Sequence, residues 1–337
     1  MIIILIYNLN IVKQIKHVEV HKMKKKFFST IIATVLLGTM LIGCGTGSNK
    51  TAESKNETVT VTDVKGNVEI PKNPKRIVDL SGNSDILSII GYKVIGTANS
   101  DAYDQTKFPS YLEETLKGAK ILGYSMNHTM DVEAIMNLNP DLIIISTVQE
   151  KMYDELSKIA PTVMIKLEAL NWKEDVKAFA KVFGKEDVAN KWLADYEAKA
   201  KAAGDKIKEK YGAHTTYLSF LASGGQLFVF DGAGFGSVLY EDMGLKKPEG
   251  MPKQSDISLP VVTYEGLASI KADYIFEIAT PADKKELEAN AIWNNIPAVK
   301  DGNVVELAAS PYFNQGYSPI GRQLLVEEIG DLLNEAK

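Results

Sequence analysis

Two twelve-residue segments, 132 positions apart, follow one pattern. Glu133-Ala-Ile-Met-Asn-Leu-Asn-Pro-Asp-Leu-Ile-Ile144 and Glu265-Gly-Leu-Ala-Ser-Ile-Lys-Ala-Asp-Tyr-Ile-Phe276 each begin with Glu, place apolar residues at +2 and +5, Asp at +8, and an apolar residue at +10. Each reads as a short helix, a turn and a buried strand. An internal repeat of this kind constrains the fold more than any composition does, because it divides the chain into two equivalent halves. Such units are common in α/β folds, where the glutamate complements a helix N-terminus. The sharper reading is a pair of matched surface carboxylates, one per lobe.

The rest of the pattern agrees. Residues 58–63 and 68–70 alternate as an edge hairpin turned at Lys65-Gly-Asn67. Short apolar runs at 76–80, 93–96, 120–123, 141–146 and 162–165 predict strands, with helices expected at 84–90, 132–138 and 149–159. This alternation indicates an α/β lobe with a mostly parallel sheet. Residues 173–183 and 185–210 then read as helical. The second run carries Val188, Trp192 and Tyr196 at four-residue spacing, and Gly204 weakens it without ending it. Strands return at 215–220, 226–230, 274–278 and 304–307, with helices near 235–243 and 319–334. The expected fold is α/β, two halves with central mostly parallel sheets flanking a single long helix.

The start of the chain speaks to location. Lys24-Lys-Lys26 precedes an apolar run from Phe27 to Gly43, the layout of a secretory signal. Leu41-Ile-Gly-Cys44 resembles a bacterial lipobox, in which the cysteine is lipidated and becomes the new N-terminus. Cys44 is the only cysteine, so no disulfide forms within the chain. Residues 45–57 form a polar tether. Val18-Glu-Val20 can be encoded with a ribosome-binding sequence six nucleotides before Met23. Residues 1–22 are therefore read as an extension ahead of a true start at Met23, which the codons used there decide. The division is 1–22 extension, 23–43 signal, 44–57 tether, 58–168 first lobe, 169–211 helical segment, and 212–337 second lobe. The location is the outer face of the cytoplasmic membrane.

Beyond Gly43 the chain carries 32 basic and 42 acidic residues, a net charge of −10. That argues against nucleic acid or an anionic surface as partner. Only Arg76 and Arg322 are arginine, and only His128 and His214 remain as histidine past the signal. A three-histidine metal site is excluded by count.

Pro71-Lys-Asn-Pro-Lys-Arg-Ile-Val78, Asp131 to Ile144, Ile159-Ala-Pro-Thr162 and Trp293-Asn-Asn-Ile-Pro-Ala-Val-Lys-Asp-Gly-Asn-Val304 together resemble class III solute-binding lipoproteins of iron-siderophore, cobalamin or haem ABC importers. The resemblance covers residues 58–337. It implies two α/β lobes joined by one stiff helix with the ligand cleft between them, in a monomer with no resident cofactor, which passes its ligand to a permease dimer coupled to an ATPase. It also implies that Glu133 and Glu265 dock on permease arginines. Tyr312 falls where hydroxamate-binding relatives place a cleft aromatic. Met126 falls where haem-binding relatives place an axial ligand, but the second-lobe histidine of those relatives has no counterpart near residues 278–281. The loop candidates for ligand contact are Ser81, Asn83, Tyr103, Tyr124, Met126, Ser146, Phe220, Tyr312, Phe313, Asn314 and Tyr317. Polar and aromatic, they suit a near-neutral Fe(III)-hydroxamate chelate. Haem, cobalamin and anionic catecholate or citrate chelates are the alternatives, the last if lysines line the cleft.

Two other classes compete. An enzyme would use Asp231-Gly-Ala-Gly-Phe-Gly-Ser237 as a nucleotide loop, but Ser237 replaces the last glycine of that fingerprint. A purely structural surface lipoprotein gives no reason for matched glutamates.

Overall fold

The computed structural model describes residues 57–168 and 170–336. Cys44, the signal segment and most of the tether lie outside the described residues. The hairpin β1 (Thr58–Asp63) and β2 (Gly66–Pro71) turns because Asp63 Oδ1 accepts the Lys65 and Gly66 amides at 2.7 and 3.0 Å. The first sheet contains β3 (Ile77–Asp79), β4 (Val94–Asn99), β5 (Lys120–Tyr124), β6 (Leu142–Ser146) and β7 (Thr162–Ile165). Its order is β5-β4-β3-β6-β7 and every pairing is parallel. β3, β6 and β7 are buried along their whole length, as continuous apolar strands covered on both faces must be. The hairpin docks on the β7 edge through Asp63 Oδ2, which accepts the Met164 amide at 2.8 Å.

The second sheet contains β8 (Tyr217–Ser223), β9 (Gln226–Val229), β10 (Val261–Val262), β11 (Tyr274–Ala279) and β12 (Val304–Ala308), in the order β10-β9-β8-β11-β12. β8, β11 and β12 are parallel, while β9 folds back antiparallel. That return needs Gly224 and Gly225, at φ of 63° and 73°, in the tight turn after Ser223.

The repeat is structural as well as sequential. Helix Val132–Asn137 is capped by Asp131, and helix Tyr264–Ser269 by Thr263. After each helix an aspartate locks the start of the neighbouring strand. Asp141 accepts the Lys75 and Arg76 amides at 2.7 and 2.9 Å, and Asp273 accepts the Thr216 amide at 2.8 Å.

Between the lobes run helix Trp172–Val182 and the 26-residue helix Glu186–Tyr211, about 39 Å long. The buried stripe of the long helix is Ala189, Leu193, Tyr196, Ala200, Gly204 and Ile207. The expected face is displaced by one position at its start: Val188 is 43% exposed and Trp192 half-buried. A strict four-residue spacing drifts off a 3.6-residue helix, and the 3–4 alternation of the true stripe corrects it. Ala189 and Leu193 belong to the first lobe's core, and Tyr196, Ala200 and Ile207 to the second's. The helix is thus a beam set into both cores.

Two further departures are local. Residues 149–159 do not form one helix: a 3-10 turn, Thr147–Met152, precedes Tyr153–Leu156. A helix absent from the expectation, Pro281–Ala289, opens with Thr280 as cap and Pro281 in the first turn.

Gly204 is required by packing. A Cβ there would lie 1.8 Å from the Met243 carbonyl oxygen. Helix propensity alone makes Gly→Ala favourable by about 1 kcal/mol. Here Gly204→Ala should instead destabilise by about 2 kcal/mol, since backbone must shift to admit the methyl. Urea unfolding would show this, and a stabilised variant would mean that Met243 yields freely.

Candidate ligand cleft

In open α/β sheets ligands sit beyond the carboxyl ends of the strands. In the first lobe those ends lead into Ser81, Asp101, Tyr124 and Ser146. In the second they lead into Ser223, Thr280 and Ser310. The two sets face each other, because residues following β4 touch residues following β12. The Tyr103 ring meets Phe313 edge-on, centroids 5.6 Å apart. Phe313 also contacts Tyr317 at 5.6 Å and Phe230 at 6.3 Å. Three residues expected to contact ligand, Tyr103, Phe313 and Tyr317, are therefore brought into one aromatic group between the lobes, each half-buried.

Other candidates do structural work. Phe220 is a correction: it is fully buried, packs on Trp293 at 5.5 Å, and points into the second lobe's core. It sits mid-strand, where neither face reaches the cleft. Ser146 is also corrected. It is buried and spent in a capping box with Gln149, whose amide donates to Ser125 O at 2.7 Å and Asn127 O at 3.1 Å. Ser81 is buried, its Oγ donating to Asp79 Oδ1 at 2.6 Å, and Asn83 Nδ2 donates back to Ser81 O at 3.2 Å. Both shape the turn after β3. Tyr312 stands apart from the aromatic group, in a groove of about 440 Å³ with Tyr111, Gln315, Glu327, Glu328 and Asp331 along the last helix, Pro319–Asn334. Tyr124 is half-buried at the end of β5, and Met126, 48% exposed, projects from the following turn. Asn314 bridges the lobes.

Both arginines are engaged elsewhere. Arg76 Nε donates to Asn139 O at 2.8 Å and Nη2 to Leu138 O at 2.5 Å, where a cation meets the C-terminal end of helix Val132–Asn137. Arg322 is buried, with Nη1 2.5 Å from Asp242 Oδ2, Nη2 donating to Ser237 Oγ, and the guanidinium 4.9 Å over the Trp172 ring. Arg76 is exposed at the entry end of β3, away from the carboxyl ends of the strands, and Arg322 is buried in its ion pair.

Carboxylates that sequence reasoning missed flank the aromatic group. Asp101 is buried and accepts Ser310 Oγ at 2.7 Å. Asp283 is buried too. Desolvation would raise its carboxyl, but hydrogen bonds from Thr280 and from the Gly225 and Gly224 amides hold it below the usual range. Burial raises the Tyr103 phenol, whose hydroxyl faces Ser223. Only the N–x–D spacing at Asn99-Ser-Asp101, after an apolar strand, hinted at a built turn.

The Gly-rich loop is explained by close packing. A Cβ at Gly236 would lie 2.1 Å from Phe230 O, and one at Gly234 2.9 Å from the Tyr317 ring. Among the described residues no cluster of His, Cys, Asp and Glu could hold a metal ion, and no helix is long and apolar enough to cross a membrane. Glu133 and Glu265 are exposed, each in the first turn of its helix.

Comparison with known proteins adds to this geometry. The sequence profile described as periplasmic binding protein matches residues 89–311. The iron(3+)-hydroxamate-binding protein FhuD of Bacillus subtilis is 35% identical over 299 residues, covering 84% of this chain and 90% of that protein. The probable siderophore-binding lipoprotein YfiY of the same organism is 31% identical over 301 residues, covering 84% and 91%. The fold superposes on a Bacillus subtilis FhuD fold-family protein, a periplasmic binding protein component of a Fep/Fec-like ferrichrome ABC transporter. The TM-score is 0.69 at 31% identity, over 82% of this chain and 100% of that one. Staphylococcus aureus SirA complexed with staphyloferrin B gives 0.66 at 26% identity, over 82% and 99%.

Buried carboxyls set a pH dependence. Burial pushes Asp85 and Asp175 up to about 6 and Glu277 up to about 7. In the unfolded chain these groups titrate near about 4. The folded protein thus binds more protons across the interval, and stability falls as pH rises through it. The melting temperature should be higher at about pH 5.5 than at about pH 7.5, and Glu277→Gln should flatten the difference. A profile flat across this interval would mean that these carboxyls ionise freely in the folded protein.

Proposed function

The chain belongs to the periplasmic binding protein family, and from that premise we propose that it captures a ferric siderophore of hydroxamate type and delivers it to an ABC permease. It is a substrate-binding protein of the class III fold. The observation that carries the ligand reading is the aromatic group Tyr103, Phe313 and Tyr317 between the lobes, in a protein whose two arginines are both committed to structure. Receptors for anionic chelates use arginine or lysine clusters, and the guanidinium fork is the stronger of the two. A near-neutral chelate needs flat contacts and a few hydrogen bonds. The iron is then cargo, its coordination sphere filled by the chelate. The 35% identical relative is named for binding an iron(3+)-hydroxamate, which supports the same choice.

In this reading the lipid on Cys44 keeps the receptor at the outer face of the membrane, as the lipoprotein name of YfiY suggests. The cleft binds; it performs no chemistry. The exposed Glu133 and Glu265 seat the two lobes on the permease, where paired charges set register and association rate more than affinity. ATP hydrolysis on the far side of the membrane drives release.

A binding panel tests the ligand: ferric hydroxamates, ferric catecholates, ferric citrate, haem and cobalamin, followed by intrinsic fluorescence. Trp172 and Trp192 lie at the junction of the two cores and Trp293 is buried in the second lobe. Quenching therefore reports energy transfer to the chelate or movement at the junction, not direct contact. A hydroxamate should bind tightest, and Tyr103→Ala should weaken it by about tenfold. Tight binding of citrate or a catecholate instead would place lysines in the cleft. Tight haem binding that is lost in Met126→Ala would favour the haem reading.

Docking is separable. Replacing both Glu133 and Glu265 with Lys should abolish uptake into cells and leave ligand affinity unchanged. A parallel loss of affinity would assign these carboxylates to the fold or the pocket.

A further inference from the structure

The lobes are joined at a second place besides the long helix. One segment, from Ser310 to Ser318, reaches back over 200 residues to the first lobe. Asn314 Oδ1 accepts the Ala102 amide at 3.0 Å, and Asn314 Nδ2 donates to Ser100 O at 2.7 Å. The side-chain amide thus pairs with loop backbone as a strand would. Ser310 Oγ donates to Asp101 Oδ2 at 2.7 Å. The other oxygen of Asp101 accepts the amides of Tyr103 and Asp104 at 2.8 and 3.2 Å. Ser318 Oγ donates to Asp85 Oδ2 at 2.5 Å while capping the last helix at Gly321.

Both ends of the Asn314 amide are occupied by the first lobe, so Asn314 is spent within the protein. Its partners are the backbone on either side of Asp101, and Asp101 holds the backbone of Tyr103. The chain of contacts runs from the second lobe, through Asn314 and Ser310, to the aromatic ring that faces the cleft.

We propose that the Ser310–Ser318 segment is a permanent clasp and that Asn314 is a positioning residue, fixing Tyr103 in the cleft without touching the ligand. Lobe movement pivots about the clasp, which stays closed when ligand binds. The positioning half of this rests on the cleft being the ligand site; the clasp itself does not.

Hydrogen exchange and affinity decide it, using the full chain with Cys44→Ser. The Ala102 amide should be protected equally with and without a ferric linear trishydroxamate. Asn314→Ala should speed exchange across 100–104 by about tenfold, with the long helix unchanged. Asn314→Ala should also weaken the trishydroxamate by about fivefold, and add nothing in a Tyr103→Ala background, as a residue acting through another must. The clasp is overturned if Ala102 exchanges faster on adding ligand, or if Asn314→Ala leaves its exchange unchanged. The positioning role is overturned if the Asn314→Ala loss persists in full without Tyr103. If wild-type chain binds no ferric chelate, the functional proposal fails, and the exchange measurements alone still judge the clasp.

Discussion

The buried guanidinium of Arg322 is the contact on which the two-lobe arrangement turns. It belongs to the last helix, pairs with Asp242 of the second lobe, and lies over Trp172 at the entry to the helical segment. Tyr196 of the long helix donates to the same Asp242 oxygen at 2.6 Å, and Trp192 stacks on Tyr196 at 5.6 Å. Trp172 and Trp192 each pack against both cores. A buried ion pair contributes little net stability, yet losing one partner leaves a desolvated charge and costs about 3–5 kcal/mol. Its effect here is on geometry: it holds three helices in one register. Because the long helix is also set in both cores, large rotation of one lobe would have to bend the beam or unpack this joint. Small pivoting is the movement left, which is what the proposed docking through two fixed surface points requires.

How far the sequence reveals this depends on the range of the interactions. β7 and the last helix, Pro319–Asn334, are readable because their signals are local: a continuous apolar run in one, Ser318 and Pro319 at the start of the other. The buried stripe of the long helix is half readable. Tyr196 is right, but the choice between Val188 and Ala189 depends on which neighbour packs there. Ser146 illustrates a missed local signal. Ser146 with Gln149 three residues on is a capping box, and it consumes the hydroxyl before any ligand could. Phe220 illustrates a missed geometric one, since only strand ends reach the cleft. The Asn314–Ala102 contact, between residues 212 positions apart, has no local signature at all.

The repeat shows what duplication keeps and what it releases. Each copy retains a capped helix, an exposed glutamate in its first turn, and an aspartate that locks the next strand to its neighbour. The lock ties each unit to its own sheet, and each glutamate keeps the same place in the first turn of its helix. The strand ends carry no such likeness. The first sheet is parallel throughout, and Gln149 ties the ends of β5 and β6 together. The second turns back at Gly224-Gly225, whose amides donate to Asp283. A permease dimer is symmetric and a chelate is not. A protein that must meet both is under opposite demands on its two surfaces. On the proposed function, the duplicated helix–strand unit would answer the first, and the unequal loops, with Tyr103 held from one side and Phe313 and Tyr317 presented from the other, would answer the second.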